Sequence, residues 1–297
     1  MTNSTITIFT PTYNRSHTIG HLYHSLLQQT QKNFEWIIID DGSTDKTEQY
    51  FCNLISEPQP FQIHYIKQKN GGKHRAINRG VNIANGTLFF IVDSDDYLTD
   101  NAIEKINQWF ASLDKSHKWA GFSGLRGYST NEVVGQRNNS ALFIDAKNTE
   151  RKKYKLIGDK AEIYFTSILK KYPFPEISGE NFISEEIVWN NIARDGYYLR
   201  WFNEIIYICN YQNDGLTKNL EQKNRQNPIG LCLWVKNQIK AFPHNYIEQM
   251  LAVMCYHNAV NKKLSNKKIA NNLGISRLFL YIAIFSSKIS SILHLKH

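Results

Sequence analysis

Residues 88–98 read LFFIVDSDDYL, an oily, β-prone run that stops where Asp93, Asp95 and Asp96 follow within four positions. Crowded carboxylates repel one another unless a cation or a proton sits among them. Their oxygens suit hard divalent ions such as Mg2+ or Mn2+. An ion gripped by so few protein ligands keeps positions open for phosphate oxygens. Acids at a helix start also serve as caps in the dipole field. Asp96 and Asp100 fit that plainer role, whereas capping does not require an acid at Asp95.

Three further clusters could do chemistry. DDGSTD at 40–45 sets Asp40 and Asp41 at a strand end, to accept hydrogen bonds from a base or ribose or to brace a turn. NGGKHRAIN at 70–78 offers backbone N–H groups, Lys73 and Arg75 at a helix start, a setting that favours phosphate. Neither G-x-x-x-x-G-K-[ST] nor G-x-G-x-x-G occurs, so nucleotide folds that depend on those loops are excluded. Glu185-Glu186 follows Ser184 at another helix start, and an acid crowded by a second acid makes a better base. His17, His21 and His24 share a helix face, but no acid completes a metal set.

The elements that must position these residues follow from periodicity. TITIF (5–9), FEWIIID (34–40), FQIHYI (61–66) and TLFFIV (87–92) read as strands. Helical patterns start near His17, after DDGSTD and at about Lys73, and a fourth, capped by Asp100 or Thr99, runs through Phe110. Ser43, Thr44 or Asp45 caps the second. This βα alternation predicts a parallel sheet whose ligands gather at the carboxyl ends of its strands, where TPTYN, DDGSTD and DSDD all fall. Farther on, the glycines of 119–145 predict short strands and turns, and 158–175 a helix ended by PFP. A helix is expected over 183–197 with Gly196 as its stop, then a strand pair turning near Asn203.

The 297 residues are 42% hydrophobic, enough for a substantial core. The net charge of +9 sits almost wholly beyond residue 219, where eleven Lys/Arg face two Glu; before it the charges balance, 24 against 24. Such asymmetry predicts an anionic partner surface. Without a zinc finger, an RNA-recognition signature or a clear helix-turn-helix, nucleic acid is not the expected one. Four well-separated cysteines predict reduced thiols in a cytoplasmic protein. The opening MTNSTITIF has no apolar core of signal-peptide length. RLFLYIAIFSSKISSILHLKH (277–297) is interrupted too often for a comfortable span, which predicts either a peripheral helix in the headgroup layer or a helix packed on the rest of the chain.

Taken together, TPTYNR, IIIDDGSTD, NGGKHRAINRG, FFIVDSDD and the later acidic pair resemble, in order, the family 2 glycosyltransferases of GT-A fold. The subgroup that it looks like serves bacterial surface-polysaccharide assembly. The resemblance implies an α/β fold, a Rossmann-like, mostly parallel sheet with helices on both faces. Residues 1–217 would form the catalytic domain, with a nucleotide-sugar half over about 1–100 and an acceptor half over about 101–217, and 218–297 a basic helical extension. It implies an inverting transferase using a nucleotide-sugar donor, UDP-linked, and a saccharide or lipid-linked acceptor. Thr10, Pro11 and Tyr13 would line the base and ribose pocket, Asp41 would meet the uracil edge with Asp40 close by, and Lys73 and Arg75 would lie near the diphosphate. Asp93 would touch ribose or sugar, Asp95 would ligate Mn2+ or Mg2+, and Tyr211 would contact the donor. The family's Glu-Asp pair reads Glu185-Glu186 here, which leaves the base open between the two. A haloacid-dehalogenase-like phosphatase and a non-catalytic sugar-nucleotide-binding protein stand as alternatives. Against the first, Tyr97 replaces the expected Thr or Val after the D-x-D and three strands precede the motif.

Overall fold

A computed structural model describes residues 5–137, 141–210 and 220–294. The chain divides into two compact units. The first comprises Met1–Phe174 and Ile192–Asn213, the second Pro175–Asn191 and Asp214–His297. The segment carrying Glu185 and Glu186 therefore groups with the C-terminal helices.

The first unit opens as the sequence alternation predicts, with β1 (Ile6–Thr12), α1 (Ile19–Gln28), β2 (Phe34–Asp40), α2 (Thr47–Ile55), β3 (Gln62–Lys67), α3 (Lys73–Ile83) and β4 (Leu88–Ile91). Strands β3-β2-β1-β4 lie side by side and parallel, with Thr12 opposite Asp40. β2 is buried along its whole length, as an unbroken apolar run requires when both sheet faces are covered. Ile6 and Ile8 face a core shared with Leu22 and Leu26 of α1 and Phe51 of α2. Phe9 points the other way, stacks on Phe89 at 5.1 Å and meets Gly80 of α3, where a Cβ would come within 2.3 Å of its ring.

Next come β5 (Tyr97–Leu98), α4 (Ala102–Ala111), β6 (Trp119–Gly127), β7 (Phe143–Ala146), β8 (Lys160–Phe165), the short α5 (Thr166–Leu169), α6 (Glu186–Arg194) and β9 (Tyr198–Ile208). Beyond β4 the sheet is mixed: β8 is antiparallel to β4 and β6, and β9 is parallel to β6 and antiparallel to β5 and β7. Two expectations are corrected here. Of the 197–212 stretch, Tyr198–Ile208 is one strand rather than a pair, and 211–212 lie outside the described residues. At Asn203 the ladder slips, Ser123 facing Trp201 while Leu125 faces Ile205, so a bulge absorbs the polar residues that suggested a turn. In 158–175 a six-residue strand precedes a helix of a single turn. Helix α4 follows Asn101 rather than a cap from Asp100 or Thr99. None of the three candidates before α2 is its N-cap, which falls on Lys46 without a side-chain cap bond; Asp45, one residue earlier, accepts from the Thr47 N–H at 3.0 Å. Gly196, at φ +86°, follows α6 as its stop.

The second unit continues through α7 (Leu220–Gln226), α8 (Pro228–Ala241), α9 (Tyr246–Val260), α10 (Asn266–Leu273) and α11 (Arg277–His294). Its core is formed by Leu231, Val235, Val253, Tyr256, Ile269 and Leu280, among others.

Candidate active site

The carboxyl ends of β1, β2 and β4 gather the first-unit motifs. Asp40 is fully buried. Its Oδ2 accepts from the Tyr65 hydroxyl at 2.5 Å and its Oδ1 from the Ser43 N–H at 2.7 Å, so it braces β3 and the following turn. Asp41 clamps the NGG turn: Oδ1 accepts from Gln68 Nε2 (2.8 Å) and Gly71 N–H (3.0 Å), and Oδ2 from Gly72 N–H (2.7 Å). A carboxylate has about four acceptor directions, so these three bonds occupy most of its capacity. Gly72, at φ +96°, takes a backbone shape that other residues rarely adopt and hands the chain to α3. Arg75 donates from Nη1 back to the Gly71 carbonyl.

At the head of α3, the Lys73 ammonium lies 2.7 Å from Asp93 Oδ1. Arg126, on β6, approaches Asp93 Oδ2 at 3.7 Å and donates from Nε to the Lys160 carbonyl at 2.9 Å. Its guanidinium stands 4.1 Å over the ring of Tyr207 on β9. The Tyr207 hydroxyl accepts from the Asp93 N–H at 3.0 Å and donates to Asp96 Oδ2 at 2.6 Å, while Asp96 Oδ1 accepts from the Asn210 N–H at 2.8 Å. Asp96 is thus bound to β9 and its exit, not spent on a helix cap.

Electrostatics separate the three aspartates. Burial pushes Asp93 up, but the charges of Lys73 and Arg126 outweigh it and hold its carboxyl below the ordinary value. Burial and then the Asp93 charge raise Asp96 to about 6. The same two causes raise Asp95, and Arg15, 4.0 Å away, only partly offsets them. Burial and the neighbouring Asp93 thus disfavour the Asp95 carboxylate more than Arg15 and Lys73 favour it, an imbalance that a divalent cation would correct. Among the described residues no group of three or more His, Cys, Asp or Glu converges into a protein cage. The donor set fits an ion held by one or two carboxylates, with water or ligand oxygens in its other positions.

The structure brings Lys73, Asp93 and Asp95 together with Arg15 and Arg126. Thr10 faces inward, its Oγ1 accepting from Trp36 Nε1 at 2.9 Å, whereas Pro11 is half-buried and Tyr13 is exposed. Glu185 and Glu186 belong to the second unit, where Glu186 Oε2 accepts from Trp234 Nε1 (2.6 Å) and Gln238 Nε2 (2.5 Å). Tyr211 lies outside the described residues. Arg126, Tyr207 and Asn210 escaped the sequence reading. Arg126 stood in a glycine-rich stretch and Tyr207 inside an apolar run, so neither carried a local signal.

Residues 7–174 match the profile of Glycosyl transferase family 2. Glycosyltransferase GlyA of Streptococcus pneumoniae serotype 4 is 25% identical over 283 residues, covering 90% of this chain and 38% of GlyA. GlyG of the same organism is 36% identical over 110 residues, covering 37% of this chain and 36% of GlyG. The chain thus spans well under half the length of these relatives. Among solved structures, S. aureus TarS 1–349 in complex with UDP-GlcNAc superposes with a TM-score of 0.61 at 17% identity, covering 94% of this chain and 86% of that one. The mannosyltransferase PcManGT from Pyrobaculum calidifontis, in complex with GDP-Man and Mn2+, gives 0.57 at 14% identity, covering 95% and 86%. At these identities the superpositions speak for the GT-A fold alone.

Proposed function

The chain belongs to the family 2 glycosyltransferases, and on that premise we propose that it is an inverting, metal-dependent enzyme. It moves a sugar from a UDP-linked donor to a hydroxyl of a saccharide or lipid-linked acceptor. Its setting is bacterial surface-polysaccharide assembly, in the cytoplasm at the inner face of the cell membrane. TarS and PcManGT, solved with UDP-GlcNAc and with GDP-Man and Mn2+, support a nucleotide-sugar donor and a divalent ion. The observation that carries the reading is the partly buried Asp95, with Arg15 no nearer than 4.0 Å, following an Asp93 already paired with Lys73 at the rim of parallel strands.

Asp95, with Asp93 beside it, would hold Mn2+ or Mg2+. A cation bound there offsets the charge that develops on the departing diphosphate. Lys73 and Arg15 add fixed positive charge on the same rim, and Asp93 orients ribose or sugar. A carboxylate of the Glu185-Glu186 pair takes the proton from the acceptor oxygen as it attacks the anomeric carbon, so an α-linked donor yields a β-glycoside. Glu186 is anchored by Trp234 and Gln238, which fixes the pair on α8. The family match lends nothing to the phosphatase or scaffold alternatives.

The test is UDP release by the purified chain with Mn2+ and a panel of UDP-sugars. Asp95→Ala should lower turnover by about 10³-fold or more. Of Glu185→Gln and Glu186→Gln, the one that removes the base should cost about 10²–10⁴-fold. Full turnover by the Asp95 variant would end the metal assignment.

A further inference from the structure

Helix α11 is apolar on two faces. Leu280 and Ala283 are fully buried in the second unit's core. On the other face Leu278 is 70% exposed, Tyr281 52%, Ile282 48% and Phe285 67%. The spacing i, i+3, i+4, i+7 makes these four one stripe along the helix. Helix α9 adds Ile247 and Leu251, 68% and 62% exposed and one turn apart. Ser286 Oγ lies 3.9 Å from Met250 Sδ, so the two helices touch at the residues next to Phe285 and Leu251. Single exposed apolar residues are ordinary, but six large ones on two touching helices mark a contact surface.

Charge indicates what covers it. Lys262, Lys263, Lys267, Lys268 and Arg277, all exposed, lie between the end of α9 and the start of the α11 stripe. Glu248 is the only acid from residue 228 to the end. A second copy would bring like charge against like charge, whereas anionic headgroups supply the complement. No single helix among the described residues is long and apolar enough to cross a membrane. The pair α10 and α11 passes by length and composition only with a 109° bend between them, and Ile269, Ala270 and Leu273 of α10 are already buried in the second unit's core, which favours a seat on the surface.

We propose that the α9–α11 stripe, together with the basic run that links the two helices, seats the chain in the headgroup layer of an anionic lipid bilayer. The inference rests on the lipid-linked acceptor reading for its partner and names the face that meets it. Burial of the apolar side chains supplies the binding, and the lysines select the lipid.

Flotation of the full chain with vesicles tests it, using phosphatidylcholine alone or mixed with phosphatidylglycerol. The chain should float with the mixed vesicles and remain below with the neutral ones. Leu278→Ser combined with Phe285→Ser should lower the floated fraction about tenfold or more, with an unchanged melting curve because both positions are exposed. Lys262→Glu with Lys263→Glu should weaken binding to the mixed vesicles only. Sugar transfer to a water-soluble acceptor, followed by the UDP it frees, should stay within about twofold in both variants, so loss of flotation and loss of catalysis are read separately. The proposal is overturned if the wild-type chain ignores both vesicles, if the serine pair floats like wild type, or if sedimentation shows a dimer that the serine pair dissolves.

Discussion

Tyr207 touches no reacting atom, yet its hydroxyl joins the Asp93 backbone to the Asp96 side chain. It is a positioning residue for the acidic turn. Tyr207→Phe leaves a buried amide and a buried carboxyl without that partner, a loss of about 1–3 kcal/mol. The expected result is a lower melting temperature together with a weaker apparent affinity for Mn2+, measured by titrating the ion against protein fluorescence. A variant that melts early but binds the ion like wild type would reduce Tyr207 to a packing role. At this scale the sequence was legible for groups in short motifs, such as Lys73 and Asp93. It was silent on Arg126 and Tyr207, which lie 33 and 114 positions from Asp93 and meet it only through sheet pairing. The carboxylates of 40–41 were legible as a cluster, but their work as turn braces depends on Tyr65, Gln68 and two glycine amides.

Strands β1, β2 and β4 and the helices between them could be read because a parallel strand covered on both faces must be continuously apolar, whereas β3, at the sheet edge, is nowhere fully buried and mixes Gln62, His64 and Lys67 with its apolar residues. Strand β6 hid behind its glycines, and β9 looked like two strands because its bulge carries Asn203 and Glu204. Tertiary pairing outweighed local polarity in both. Packing between α3 and β1 makes a sharper prediction. At Gly80 an added methyl would meet the Phe9 ring at 2.3 Å, and Phe9 is itself stacked on Phe89. Gly80→Ala should therefore destabilise the chain by about 1–3 kcal/mol despite alanine's better helix propensity. Urea unfolding measures this, and an unchanged or raised midpoint would show that α3 shifts freely.

For the molecule as a whole, Lys160 sets a pH signature. It is 2% exposed, and burial followed by the nearby charge of Arg151 lowers it from 10.5 to about 8. Between those two values the unfolded chain holds a proton that the folded chain has released, so this residue makes stability rise with pH across that window. Below about 8 the folded chain carries the buried charge at a cost. Lys160→Met should flatten the rise and give a chain at least as stable as wild type near neutrality, which melting curves from pH 7 to about 10 would show. The balance of charge and the division into a neutral front and basic rear were both open to inspection in the sequence. The departure of 175–191 from the first unit was not, because α6 runs unbroken across the division. One consequence concerns biosynthesis. β9 lies inside the sheet beside β6, yet among the described residues it is the last of the sheet's strands in chain order. While the chain grows, β1 to β4 can assemble, but β6 waits with an open edge and the aspartate turn lacks its tyrosine. Nascent chains arrested before Ile208 would thus need shielding from aggregation and could not yet present a finished aspartate rim.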